Sequence, residues 1–340
     1  MKKAFFLLCA LLLAGSCLLP QAGYRLAQTV LHPQPSADPA SSAEGTPEPQ
    51  AASASAPSSA AVDAEVFLVQ DSATGSVLEL SRRDYLIGAV AAEMPVTWPD
   101  EALKAQAVAA HSYILYCRDH AVTPETGWLT ADPARRQGVL TTPVLHSYWG
   151  VDYDANYARL SALVDQVLTA VVCYQDAPAG TSYFALSNGL TEASENVWGT
   201  PLPYLVPVES SSDLAADNYQ YTLTLTAAQV QSLLSAGLGV APDASAPEQW
   251  FGTPRFTPSG YVASLPVCGQ TVTGPTLRRV LGLRSACFSI RYADGSFAFT
   301  TRGYGHGVGL SQWGAKAMAE AGKSWQEILT HYFPDTEIWE

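Results

Sequence analysis

The chain has 340 residues, of which 48% are hydrophobic, enough for one large domain or two modest ones around a buried core. Acidic residues outnumber basic residues by 31 to 18, which gives a formal net charge of −13, and no Lys/Arg cluster reverses that balance locally. Because so acidic a chain repels polyphosphate, we expect no nucleic-acid partner.

The N-terminus has the pattern of an export signal. Lys2 and Lys3 precede an uncharged apolar run over residues 4–19, and the next basic residue is Arg25. The run is long for a cleaved signal peptide and slightly short for a spanning helix. We interpret residues 1–30 as an uncleaved anchor that holds the protein on the extracytoplasmic side of the cell membrane. Secretion after signal cleavage is the alternative.

Residues 31–64 are Pro, Ala and Ser with scattered acids and almost no large apolar side chain. Such a segment cannot bury a core, so we predict a disordered tether. The tether connects the anchor to a folded domain over residues 65–340 and lets that domain reach a substrate at some distance from the membrane.

The folded part begins with a predicted β-hairpin, residues 66–69 and 76–80 joined by a turn that ends in Gly. Helical spacing follows over 83–92. A second helix is predicted over 99–118, because Pro99 stands early and acidic residues occupy the first turn.

The rest of the chain alternates short strands and helices. Residues 123–157 are aromatic and broken by Gly and Pro, so we predict irregular structure there. Strands are predicted over 164–174, 181–186 and 219–225, a hairpin over 287–292 and 297–301, and helices over 227–236, 276–281, 310–321 and 324–333. This pattern predicts an α+β fold, a mixed or antiparallel sheet with packed helices, in one large domain with a subdomain around 200–275.

Four cysteines lie beyond the N-terminal leader: Cys117, Cys173, Cys268 and Cys287. None belongs to a C-x-x-C pair, which argues against a zinc knuckle or a thioredoxin motif. Outside the membrane they have three disulfide connectivities open to them, and four buried thiols are the alternative.

Glu93 is the first candidate for chemistry. It stands between the two predicted helices, which Pro95 ends and Pro99 begins, and among the apolar residues Met94 and Trp98. A carboxyl in such surroundings loses hydration and stays protonated near neutrality, as a general acid requires. A solvated loop glutamate or a helix cap is the alternative interpretation.

Lys104 and His111 are seven residues apart on the helix predicted over 99–118, and therefore lie on one face of it. Polar side chains on an Ala-rich helix beside Glu93 are suited to line a sugar cleft, and an imidazole can donate to a sugar oxygen. A half-exposed face without a role is the alternative.

A third group of candidates follows the strand predicted over 181–186, where the chain enters a Ser-Asn-Gly turn and a polar loop. Small hydroxyl and amide groups at a strand end suit carbohydrate recognition. The candidate residues are Tyr183, Ser187, Asn188, Thr191 and Glu192. Alternatively, Asn188-Gly189 is simply a tight turn.

Residues 303–315 form the most distinctive motif, with glycine at every second position up to Gly309. Glycines let a backbone adopt positive φ or approach another surface closely. The helix that follows has free N–H groups that can bind an anion, and Gln312 at its start is a candidate substrate contact. His306 is a candidate to contact substrate or to support Glu93. A purely architectural turn is the alternative.

Several blocks of this sequence match the motifs of one known protein family and occur in the same order as in that family. They are Glu93-Met94-Pro95 and residues 98–110, 187–192, 197–199, 203–205, 278–285 and 305–315. With these blocks, which extend over roughly residues 65–340, the chain resembles the stage II sporulation protein D family.

The resemblance implies a lytic transglycosylase that acts on peptidoglycan glycan strands already stripped of peptide, during engulfment in sporulation. Glu93 matches the family's catalytic acid. It would protonate the glycosidic oxygen between N-acetylmuramic acid and N-acetylglucosamine, and its carboxylate would then accept the proton of the C6 hydroxyl. The product is a 1,6-anhydro end, and no second carboxylate is required.

Two positions depart from the family pattern, because His111 stands where Arg is usual and Asn188 where Ser or Gly is usual. The His/Cys cluster of zinc-binding members is missing before Tyr148, so we predict no metal and no cofactor. An amidase enhancer and a noncatalytic wall-binding module stay open as alternative functions. The partners implied are glycan strands, a cell-wall amidase, other engulfment proteins and, through the N-terminal segment, the membrane.

Overall fold

The computed structural model describes residues 65–340 with the exception of Val122. The predicted anchor over 1–30 and the predicted tether over 31–64 lie outside the described residues. Helices and small, mostly antiparallel sheets make up the described part, which confirms the α+β prediction. None of the helices in that part combines the length and the apolar character needed to cross a bilayer.

The predicted N-terminal hairpin is present. Strands β1 (Val66–Asp71) and β2 (Val77–Ser81) pair antiparallel, and Val69 lies opposite Leu78. A third strand, β3 (Leu129–Ala131), adds to β1 in parallel. The inner face of β1 is buried, so this small sheet closes one side of the main core.

Two helices position the candidate acid. Helix α1 (Arg82–Glu93) begins at Ser81, whose hydroxyl accepts the N–H of Asp84, and ends at Glu93 because the following residue precedes a proline and is extended. Helix α2 (Asp100–Asp119) follows after a short loop. The predicted helices over 83–92 and 99–118 are therefore confirmed.

The prediction of irregular structure over 123–157 is wrong in its second half. Helix α3 (Thr142–Trp149) and helix α4 (Tyr153–Asp165) lie there, separated by Gly150 at a positive φ of 54°. Three of the aromatic side chains that suggested irregularity, Trp149, Tyr153 and Tyr157, pack against the main core.

Short elements lead from α4 to the second half of the chain. They are β4 (Val171–Tyr174), β5 (Ala177–Pro178), β6 (Tyr183–Phe184) and α5 (Ser194–Trp198). Strand β4 pairs with β5 and with the C-terminal strand, so the strand predicted over 164–174 is shorter than expected and its first residues belong to α4.

A second hydrophobic core, formed by residues between 223 and 299, lies apart from the main one. Its elements are β7 (Gln220–Thr226), α6 (Ala227–Leu238), β8 (Arg255–Phe256), β9 (Val262–Val267), β10 (Gln270–Thr273), α7 (Gly274–Leu281), β11 (Phe288–Ala293) and β12 (Ser296–Arg302). This second core begins and ends later in the chain than the subdomain expected around 200–275.

The chain then returns to the main core. Strand β13 (Leu310–Ser311) pairs in parallel with β6, and α8 (Gln312–Glu320), α9 (Trp325–Tyr332) and β14 (Glu337–Trp339) follow. Helix α2 lies at the centre and contacts α1, α4, α8 and α9. Its buried alanines allow this close packing, which brings the ends of α1 and α8 together.

Candidate active site at the junction of three helices

Glu93 lies where α1, α2 and α8 meet. It is the last residue of α1, and its Oε2 accepts a hydrogen bond of 3.2 Å from Nε2 of Gln312, the first residue of α8. The same Nε2 lies 3.4 Å from Oε1 of Gln106 on α2. Two buried amides therefore connect the carboxyl group to the centre of the fold.

Two buried tyrosines interact electrostatically with the same carboxyl group. Burial raises the pKa of Tyr183 well above its usual value, and the charge of Glu93 raises it further. The pKa of Tyr85 is raised by burial and by the charges of Cys117 and Glu93. Both hydroxyls thus stay protonated at physiological pH.

A pair of tryptophans lies beside the end of α1. The rings of Trp98 and Trp313 meet edge to face with their centroids 5.4 Å apart, and the Lys316 ammonium lies 5.4 Å from the Trp313 ring. Because Trp313 follows Gln312 directly, this aromatic pair borders the region around Glu93.

The glycine-rich segment 303–309 packs tightly on the strand at 182–187. All four of its glycines have positive φ, and a Cβ at Gly303 would lie 2.6 Å from the carbonyl oxygen of Leu186. Both reasons for glycine that the sequence indicated are therefore present, and they give the motif an architectural role.

His306 has a defined tautomer. Its Nδ1 accepts the N–H of Val308 at 3.1 Å, and its Nε2 donates to the carbonyl of Tyr183 at 3.0 Å, so the imidazole carries its proton on Nε2. The ring packs against Trp198 and Phe184 with centroid distances of 5.2 and 5.5 Å. Gln312 thus contacts Glu93, and His306 contacts Tyr183, whose pKa the charge of Glu93 raises.

The polar residues of the 187–192 turn lie elsewhere and bond to the protein itself. The main-chain N–H of Ser187 donates to Asp213, the Asn188 amide to the carbonyl of Ser259, and the Thr191 hydroxyl accepts from Val208. Ser187 and Thr191 are fully buried, so their groups shape the turn.

Glu192 is a buried carboxylate, 1% exposed. It accepts hydrogen bonds from the main chain of Ala193 at 2.8 Å, the amide of Asn196 at 2.9 Å and the hydroxyl of Thr257 at 2.5 Å. These bonds hold the start of α5 and a loop of the second core together, as a structural anchor does.

Substituting Glu192 with Ala is expected to lower the free energy of unfolding by about 3 kcal/mol, because three donors, two of them on buried residues, lose a charged acceptor. Urea unfolding measures the change. The matched control is Glu195→Ala, which removes an exposed carboxylate three residues further along, in α5, and is expected to cost less than about 0.5 kcal/mol. Equal losses in the two variants would show that Glu192 has no anchoring role.

Lys104 pairs with Glu101, whose other oxygen accepts the N–H of Trp325 at the start of α9. This contact fastens α2 to α9. His111 lies inside the main core, 1% exposed, with Nδ1 bonded to the carbonyl of Ala170 at 2.9 Å and its ring against Phe67. The structure thus gives both residues contacts within the fold.

Burial lowers the pKa of His111 from 6.5 to about 4. Between about pH 4 and 6.5 the imidazole is protonated in the unfolded chain but neutral in the folded protein. Above pH 6.5 it is neutral in both states, so the contribution of His111 to stability is fully present there. That stability is lost as the pH falls from about 6.5 to about 4. One pKa unit corresponds to about 1.4 kcal/mol, so the loss is about 3 kcal/mol.

We therefore expect His111→Leu to flatten the fall of unfolding free energy between pH 6.5 and 4, measured by urea unfolding at several pH values. The control is His120→Leu, which removes an exposed histidine just beyond the end of α2 instead of a buried one. An unchanged slope in His111→Leu contradicts the assignment.

The four cysteines are free thiols, which settles the choice left open by the sequence. Among residues 65–121 and 123–340, no group of three His, Cys, Asp or Glu side chains is arranged to hold a metal ion.

The predicted site residues did not include Gln106, which accepts from Gln312, Trp313, which follows Gln312, or Tyr85, whose pKa the charge of Glu93 raises. Gln106 carried a signal, since a glutamine in an Ala-rich helix is an uncommon core residue. Trp313 stood within the glycine-rich motif, but nothing local related it to Trp98. Tyr85 lies on the apolar face of α1 and looks like an ordinary core residue.

Comparisons with known proteins identify relatives of this chain. A family model described as stage II sporulation protein matches residues 70–174. Stage II sporulation protein D of Bacillus subtilis (strain 168) is 36% identical over 272 residues, which cover 79% of this chain and 78% of that protein. Its counterpart in Bacillus amyloliquefaciens is 37% identical over 267 residues, 77% of this chain and 75% of that protein.

A more distant relative has a different description. The protein named amidase enhancer in Bacillus subtilis (strain 168) is 26% identical over 74% of this chain, and the match covers 40% of that protein. An α+β protein with a carboxyl group held by amides between three helices is thus related to proteins of sporulation. The chain belongs to the stage II sporulation protein D family.

Proposed function

We propose that this protein is an extracytoplasmic lytic transglycosylase that cleaves peptide-free glycan strands of the cell wall during sporulation. The observation that carries the proposal is the placement of Glu93. Its carboxyl group lies at a helix end and accepts from Gln312, and the residue after Gln312, Trp313, packs edge to face on Trp98. The relatives named for sporulation give the biological setting.

The chemistry needs one carboxyl group that acts twice. Glu93 first gives its proton to the glycosidic oxygen, so the bond from C1 to that oxygen breaks and the sugar develops oxocarbenium character. Its carboxylate then takes the proton of the C6 hydroxyl while O6 bonds to C1. The proton returns to Glu93, no water is consumed, and the cleaved end is a 1,6-anhydro sugar.

The surroundings of Glu93 fit the ionised state between these two steps. A carboxylate that accepts from a buried amide is stabilised more than the neutral acid is, because hydrogen bonds to charged groups are the stronger ones. Aromatic rings such as Trp98 and Trp313 suit a sugar, which presents C–H groups on its ring faces.

The test is incubation of the purified chain with peptide-free glycan strands, followed by mass spectrometry of the products. Fragments with anhydro ends support the proposal, and intact strands reject it.

The second candidate is an amidase enhancer, which the relative of that name favours. For it, we expect no cleavage of glycan strands. A cell-wall amidase added together with the chain would instead turn over faster than the amidase alone. Running both assays on one preparation separates the two functions.

A further inference from the structure

The Glu93 site includes two buried glutamines, and hydrogen bonding determines which way each of their amide groups is turned. A carboxylate only accepts hydrogen bonds, so Gln312 must turn its NH₂ group toward Glu93. The NH₂ group then also faces Gln106, which must present its carbonyl oxygen. The ionised form of Glu93 thereby fixes the orientation of both amides.

This arrangement leaves a donor without a partner. Gln106 is 0% exposed, and its Nε2 has no hydrogen-bond partner among the residues that the structure describes. A buried donor of this kind disfavours folding. The neighbours of Gln106 along α2 are alanines, so an apolar side chain would suit the packing better.

The hydrogen bonds of the preceding residue, Ser311, fix the position of Gln312. Ser311 caps α8 by accepting the N–H of Gly314 at 3.3 Å, and its hydroxyl donates to the buried Asp213 at 2.8 Å. Gln312 is itself only 3% exposed, so its amide has little surface to offer a substrate and points instead at the carboxyl group.

We propose that Gln312 is a positioning residue for Glu93 and that Gln106 orients Gln312. The amide of Gln312 aims the carboxyl group and stabilises it as the proton leaves. This inference rests on the proposed function, and it replaces the substrate contact that the sequence suggested for Gln312 by a role exerted through Glu93.

The first test compares steady-state kinetics of three variants on peptide-free strands. Gln312→Met keeps the side-chain length and removes the amide, and we expect kcat to fall roughly ten- to a hundredfold with KM changed by less than about twofold. Gln106→Met is expected to lower kcat by a smaller factor. Gln326→Met is the control, because that exposed amide donates to the Glu340 carboxylate at 3.5 Å.

Folding is checked separately through thermal unfolding of each variant. Replacing Gln106 removes the two unpaired N–H groups of its amide and leaves one N–H of Gln312 without an acceptor, so the number of unpaired buried N–H groups does not rise. We therefore expect the Tm of Gln106→Met to remain close to that of the wild type while kcat falls. A large loss of Tm with unchanged kcat per folded molecule contradicts the positioning role.

A second readout does not depend on turnover. Without the amide of Gln312 the neutral acid is favoured over the carboxylate, so the titration of Glu93, followed by NMR of isotope-labelled glutamate, moves to higher pH. The nearby hydroxyls of Tyr85 and Tyr183 stay protonated throughout this range and do not interfere. The descending limb of the pH–rate profile is expected to move in the same direction.

The outcomes separate the two proposals. If wild type forms anhydro ends and Glu93→Gln does not, but Gln312→Met keeps the wild-type kcat and titration, the positioning role is refuted and the proposed function stands. If wild type cleaves nothing, the proposed function fails, and the titration alone decides whether Gln312 acts on Glu93.

Discussion

Replacing Glu93 with Gln is expected to lower the rate of anhydro-end formation by about 10³- to 10⁴-fold. General acid–base catalysis typically contributes 10²- to 10⁴-fold, and the upper part of that range applies because one group performs both proton transfers. The substitution keeps the size of the side chain and an oxygen for the Gln312 amide, so the packing around the site is preserved. Mass spectrometry of digests at fixed times gives the rate.

A matched control is Glu195→Gln, which removes the charge of an exposed glutamate outside the junction of α1, α2 and α8. Its rate should equal that of the wild type. A Glu93→Gln protein that forms anhydro ends as fast as the wild type would show that another group supplies the proton. Comparable thermal unfolding of both variants excludes a loss of fold as the cause.

The sequence predicted well those elements whose limits are set by local chemistry. Helix α1 ends before a proline, and Asp294-Gly295 turns the β11–β12 hairpin, with both residues at positive φ. Helix α3 and helix α4 escaped prediction because Gly150 interrupts them and their aromatic residues have modest helix propensity. A repeat of four residues at Trp149, Tyr153 and Tyr157 was the available signal.

The site was predictable only in part, because its contacts connect distant segments. Glu93 and Gln312 are 219 positions apart, and no local pattern relates a helix end to a glutamine near the C-terminus. The turn at 187–192 presents the opposite difficulty. Its hydroxyl and amide groups look like a sugar-binding set, but they satisfy buried donors and acceptors of the protein, which only the tertiary structure reveals.

His111 illustrates the same limit. Helical spacing puts His111 on one face with Lys104. The spacing does not reveal that other helices pack around α2, which only the tertiary structure shows. The imidazole is therefore neutral near pH 7 and supplies no charge in place of the arginine usual in the family.

Gly309 is a position where a single methyl group should damage the fold in two ways. Its φ is +80°, and a Cβ there would overlap the carbonyl oxygen of Ser182, which accepts the N–H of Leu310 at 3.0 Å. Gly309→Ala must therefore strain the backbone and also displace the pairing of β6 with β13. We expect a loss of about 4 kcal/mol in unfolding free energy, measured by urea unfolding.

Gly322→Ala isolates the backbone contribution, because Gly322 has a φ of +83° but an added Cβ there would meet no atom of the described residues within 4 Å. Its expected cost is about 1 kcal/mol, from the left-handed conformation alone. The difference between the two variants therefore measures the free-energy cost of the close approach at Ser182.

Gln312 follows Gly309 by three residues, so the same substitution should affect the site. Gly309→Ala should lower anhydro-end formation in proportion to the fraction of protein that is unfolded, whereas Gly322→Ala should not. Equal losses of stability in the two variants would mean that β6 moves away without cost, and the tight packing of the glycine-rich segment would then have no part in holding α8 against Glu93.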